Sequence, residues 1–97
     1  MRVENIENRD GRKVVNQFVL YDGNKVVFQS YESTIIEVDM AEKTIKVGAD
    51  YNYSRTTSKY RNMFFEDYTR FKGLATLKGL EKAIKDGNFD GYTVEMF

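Results

Sequence analysis

Residues Tyr51-Asn52-Tyr53-Ser54-Arg55-Thr56-Thr57-Ser58-Lys59-Tyr60-Arg61-Asn62-Met63-Phe64-Phe65 mark the point where the hydrophobic period of this 97-residue chain changes. Around and beyond Ser54, large residues recur at Tyr53, Thr57, Tyr60, Phe64 and Asp67/Tyr68, close to the 3.6-residue period of a helix. Ser54 is placed to cap that helix, because its hydroxyl can accept from a free backbone N–H of the first turn. Tyr60, Met63 and Phe64 then point to a core, and the stretch reads as a junction between strands and helices.

Upstream the period is two. Val14 to Tyr21 and Lys25 to Tyr31 are β-rich runs joined by Asp22-Gly23-Asn24, a strong hairpin signal because glycine tolerates the positive φ of a tight turn. A short strand fits Val3 to Glu7, before a turn at Asp10-Gly11. Thr34 to Met40 alternates around Ile36 and Val38, and Thr44 to Val47 follows after Ala41-Glu42-Lys43. Consecutive strands with short turns make an antiparallel meander, apolar on one face.

Further on, Leu74, Leu77, Leu80 and Ile84 form the stripe of a second helix over about Leu74 to Lys85, which Asp86-Gly87 stops. Gly79 in its middle costs ~1 kcal/mol against Ala. Tyr92 to Phe97 alternates as a final strand. The expected fold is α+β over one domain, residues 1–97: an antiparallel β-meander of four to five strands with two helices packed on one face.

Composition narrows the chemistry. There is no Cys and no His, which closes disulfides, thiolate metal sites, cysteine nucleophiles, Ser-His-Asp triads and histidine acid–base work. Asp22-Gly23-Asn24 lacks the spaced ligands and terminal Glu of a calcium loop, and no phosphate-binding glycine motif occurs. No enzyme activity and no cofactor is expected. No apolar run reaches the roughly 18 residues of a membrane span, and the N-terminus has no apolar signal core. A soluble, cytoplasmic protein is expected, within a bacterial host cell on the resemblance described below.

Net charge is zero but unevenly spread. Residues 54–85 hold eight cations against three anions, an asymmetry that suits a polyanion or an acidic protein. At helical spacing Arg55, Lys59, Asn62 and Glu66 share one face of the first helix, with Arg61 on a neighbouring strip beside Ser58. Lys78, Lys82 and Lys85 form a second strip. Arg55, Lys59, Arg61, Asn62, Lys78 and Lys82 are therefore the candidate partner-binding residues. Hydroxyls, helix N–H groups and arginine are also the ingredients of a phosphate seat. The plainer alternatives are that the hydroxyls only cap the helix and that lysines line any amphipathic surface. Glu32, Glu37 and Asp39 are either a solvated strand face or a dock for an electropositive partner. Exposed Tyr and Phe at both ends are compatible with a homodimer.

Two blocks carry a resemblance. Asn16-Gln17-Phe18-Val19-Leu20-Tyr21-Asp22-Gly23, continued by Val27-Phe28-Gln29-Ser30-Tyr31-Glu32-Ser33, and then Tyr53-Ser54-Arg55-Thr56-Thr57-Ser58-Lys59-Tyr60-Arg61-Asn62, resemble a family of short phage and mobile-element proteins of Gram-positive bacteria. The likeness spans about residues 16–65, and that family is a domain of unknown function. It implies a context in which small cofactor-free proteins often act as host-takeover factors, anti-CRISPR proteins among them. The expectation is a non-enzymatic inhibitor of a host nucleic-acid-targeting defence, acting by steric occlusion on a host protein or protein–nucleic-acid complex. The alternatives are a nucleic-acid-binding accessory protein, using phosphate contacts, and a structural or virion-associated module.

Overall fold

The alternating half of the chain becomes five strands in the computed structural model, which describes residues 1–97: β1 (Arg2–Glu7), β2 (Lys13–Asp22), β3 (Lys25–Ser30), β4 (Ser33–Asp39) and β5 (Thr44–Val47). Helix α1 (Arg55–Tyr68), a 3-10 turn over Lys72–Leu74 and helix α2 (Leu77–Asp86) follow, and the chain closes with β6 (Asn88–Phe89) and β7 (Tyr92–Met96). The α+β class is as the sequence implies, but the sheet is larger. It has seven strands in the order β1-β2-β3-β4-β5-β7-β6.

The meander runs antiparallel from β1 to β5, and β7 then lies parallel to β5, with Ile45 opposite Val94. Parallel neighbours need a long crossover, and here both helices supply it. β6 is two residues long and carries no period that could announce it.

Alternation sorts the sheet into two faces. Val26, Val38, Ile45 and Val94 form one cross-strand row, and Val19, Phe28, Ile36 and Val47 form the next; all eight are buried. Phe64 from α1 stacks on Phe28 with ring centroids 5.7 Å apart, and Phe65 meets Phe64 edge-on at 5.6 Å. A single buried cluster joins these sheet rows to residues of both helices. Between Phe28 and Gln29 the β3–β4 register slips, so that Ile35 is extra. That bulge is why neighbouring Ile35 and Ile36 are both buried, against strict alternation.

The helix ends have identifiable causes. Ser54 Oγ accepts from Thr57 N at 3.1 Å, and Thr76 Oγ1 accepts from Gly79 N at 3.0 Å. The second cap moves the start of α2 to Leu77, leaving Leu74 buried in the preceding 3-10 turn. Leu80 and Ala83 are the fully packed residues of α2, while Leu77 and Ile84 are half-buried. Gly87 ends α2 in the left-handed region at φ 75°, donating to Ala83 O and Ile84 O.

No helix is long and apolar enough to cross a membrane.

Candidate functional site

Of the six residues the sequence singles out, Arg55, Lys59, Lys78 and Lys82 are exposed on their helices. Lys82 is engaged with Asp86 one turn on, at 2.7 Å, and Lys59 Nζ sits 5.2 Å from the Tyr60 ring centroid. Arg61 does not face solvent. It is 0% exposed, the largest fully buried side chain of the fold, which corrects its expected place on the contact surface. The reason is helical geometry: Arg61 falls one turn after Thr57 and one before Phe65, in a row whose three members are all buried.

The loop between β5 and α1 closes over the guanidinium. Arg61 Nη1 donates to Tyr51 O, and Nη2 donates to Asn62 Oδ1 at 2.9 Å. Asn62 is thus half-buried and committed to Arg61. Nε has no partner in the protein. Burial lowers the Arg61 pKa, and the nearby Tyr51 and Glu81 oppose that shift.

Tyr51 links the same loop to α2 by donating its hydroxyl to Glu81 Oε2 at 2.9 Å. This ties a carboxylate of α2 to the loop that precedes α1. The bond to Glu81, with burial, raises the Tyr51 pKa, because ionisation would set a phenolate against a carboxylate. A folded pKa above the unfolded one gives stability that is complete below about pH 10 and is lost as pH rises through the folded value. Thermal melts between pH 8 and 11 should show wild type losing more stability than Tyr51→Phe above about pH 10. The variant should start lower at pH 8, since it lacks the hydrogen bond.

The largest concavity lies elsewhere, at the end of the sheet where β2, the β3–β4 turn and the start of α1 meet. It has a volume of about 620 Å³ and opens to solvent. Ser30, Ile35 and Thr57 are its buried lining. Tyr31, Glu32, Asp50 and Tyr53 are its exposed rim, and Asn16 and Ser33 complete it. No Lys or Arg lines it. Glu32 and Asp50 are in no ion pair.

Two features in and beside this cavity are costly for folding alone. Ser30 is 4% exposed, yet its hydroxyl has no hydrogen-bond partner. Gln17, directly across the β2–β3 ladder from Ser30, is 0% exposed with both amide atoms unpartnered. Buried polar groups left unpaired cost on the order of 1–3 kcal/mol each.

The second feature is strain. Tyr31 has φ 55° and Asn16 φ 64°, and Tyr31 N donates to Asn16 O at 2.7 Å. Tyr31 is the first central residue of a two-residue hairpin turn, where positive φ is required and glycine or asparagine is usual. A tyrosine there, 57% exposed, strains the backbone and buries little. Tyr31→Gly should hold stability within about 0.5 kcal/mol of wild type or raise it. Tyr31→Val should lower it by about 1 kcal/mol, because a β-branched residue suits positive φ least. Urea midpoints of the two variants read the difference.

Tyr53 and Thr57 stand out in the sequence at the helix entrance, and Glu32 as a solvated or partner-docking acid, but no spacing joins them into one cavity. Tyr31-Glu32 in a two-residue turn, where glycine is expected, was the available signal. A second, smaller depression of about 330 Å³ lies over Tyr21, Val38, Met40 and Phe71 and is mainly apolar. Arg70 covers part of it, bonded to Asp90 and stacked 4.5 Å from the Phe71 ring centroid.

Neither the curated proteins nor the solved structures contain a match to this chain. A family described as a family of unknown function (DUF8033) matches residues 1–85, well beyond the 16–65 span over which the sequence blocks suggested a likeness. That span takes in the sheet meander, the cavity, α1 and nearly all of α2, so the chain belongs to this family of unknown function (DUF8033).

Proposed function

We propose that this chain is a small non-enzymatic binding protein whose principal contact site is the cavity ringed by Tyr31, Glu32, Asp50 and Tyr53. One observation carries this reading: a bulky aromatic held at positive φ on an open cavity with an unpartnered buried hydroxyl in its lining. Strain and unpaired polar groups of this kind are retained where function needs them. Pull-downs from host lysate should yield a partner with wild type that is lost with Tyr31→Gly. Loss instead with Arg55→Ala/Lys59→Ala, and retention with Tyr31→Gly, would move the contact to α1.

Inhibition of a host nucleic-acid-targeting defence, on a phage or mobile element, is the biological setting we propose for this binding. It rests on the likeness in size and composition to short takeover proteins. Expression of the chain should restore plaques of a CRISPR-targeted phage, and absence of rescue across nuclease types would remove this setting. A nucleic-acid accessory role is the second reading, favoured by Arg55, Lys59 and Lys78, which are exposed and carry no carboxylate partner. It requires DNA or RNA mobility shifts that weaken steeply with salt.

A further inference from the structure

We infer that the cavity at the sheet end is a guanidinium pocket, which takes an arginine side chain displayed by a protein partner. This rests on the reading of the cavity as the contact site and names what enters it.

Charge comes first. The lining holds two carboxylates, Glu32 and Asp50, without ion-pair partners, and no cation. An anionic ligand would meet both. Thr57 is the one residue of α1 in the lining, and its N–H is already taken by Ser54 Oγ. The one nearby buried cation, Arg61, is capped by Tyr51 O and Asn62 and absent from the lining.

Shape and donor count come next. Tyr31 and Tyr53, 57% and 79% exposed, bring two aromatic rings to the rim. Cations are attracted to aromatic faces, and a planar guanidinium also stacks on them. Its five N–H donors suit a site made of acceptors: two carboxylates, the Asn16 and Ser33 side chains and the unpartnered Ser30 hydroxyl. A metal ion is the poorer fit, since no cluster of three or more carboxylates occurs in the fold.

The source follows from the surroundings. Two exposed tyrosines, Tyr31 and Tyr53, stand at the mouth. Tyrosine and arginine are the residues enriched at protein–protein hot spots, with the arginine seated in a pocket of its partner. A cavity of about 620 Å³ also leaves room for backbone beside the side chain.

The test is NMR titration of the intact protein with acetyl-Gly-Arg-Gly-amide, its citrulline counterpart and methylguanidinium. The arginine peptide should shift the amides of Ser30, Glu32, Tyr53 and Thr57, while the neutral citrulline peptide shifts none of them. Glu32→Gln/Asp50→Asn, at exposed positions that spare the core, should weaken the peptide at least tenfold, and Ser30→Ala at least threefold. Equal binding of citrulline, or undiminished binding to the Gln/Asn variant, overturns the cation assignment. Methylguanidinium binding as tightly as the peptide overturns the protein source. Partner capture that depends on Tyr31, with no arginine binding, leaves the cavity as the contact site and removes only its ligand. Arginine binding with capture indifferent to Tyr31 removes the contact site instead.

Discussion

Arg61→Ala should destabilise the protein by about 3 kcal/mol, a fall in Tm of roughly 12–24 °C for a domain of this size. Two losses combine. The side chain is the largest among the fully buried ones, so its removal opens a cavity between α1 and the loop before it. The Tyr51 carbonyl and Asn62 Oδ1 also lose their donor. Arg55→Ala and Lys59→Ala, exposed on the same helix, should each stay within about 0.5 kcal/mol of wild type. Arg61→Met should fall between, because it refills the space without paying to desolvate a charge. Chemical denaturation of the four variants separates these outcomes, and an Arg61→Ala midpoint equal to wild type would return the residue to the surface.

Gly79→Ala should cost about 2–3 kcal/mol, opposite in sign to helix propensity. Propensity alone favours Ala over Gly inside a helix by ~1 kcal/mol, and Gly79 is the third residue of α2, in its first turn. A Cβ at position 79, however, would lie inside van der Waals contact of the Gly73 carbonyl oxygen, with Thr76 Oγ1 only 3.0 Å away. Backbone cannot swing aside as a long side chain can, so either the 3-10 turn carrying Leu74 lifts or α2 does. Thermal melts decide between the two expectations. A rise in Tm would mean that α2 and the turn pack more loosely than described.

Both predictions concern positions whose local signal points one way while their neighbours decide the other. The helix period around Tyr60 and Phe64 was legible because aromatic spacing is a local property, and Phe64 does meet Phe28. Arg61 was misplaced for a related reason: a helical wheel gives its angle, but only the covering loop at Tyr51 decides whether that angle is buried. Gly79 read as a small defect in α2, until the approach of Gly73, six residues earlier, made it a packing requirement.

The binding cavity divides in the same way. Its members lie at 16, 30–33, 35, 50, 53 and 57, and no spacing rule connects a hairpin turn to a helix start. Glu32 was legible as a free acidic residue, and Tyr53 as part of a rich polar-aromatic stretch. Their common space was not.

What the sequence determined by itself is the α+β class, the strand meander from period two, the cap at Ser54, the stop at Gly87 and the closure of histidine and cysteine chemistry. Each depends on residues within a few positions of one another, where backbone geometry alone relates side chains. The tertiary structure decided the parallel β5–β7 pairing, the short strand β6, the burial of Arg61 and the tyrosine-rimmed acidic cavity. These require contacts across long stretches of chain, formed by the summed burial of a whole core, and no local pattern encodes which surfaces that burial brings together.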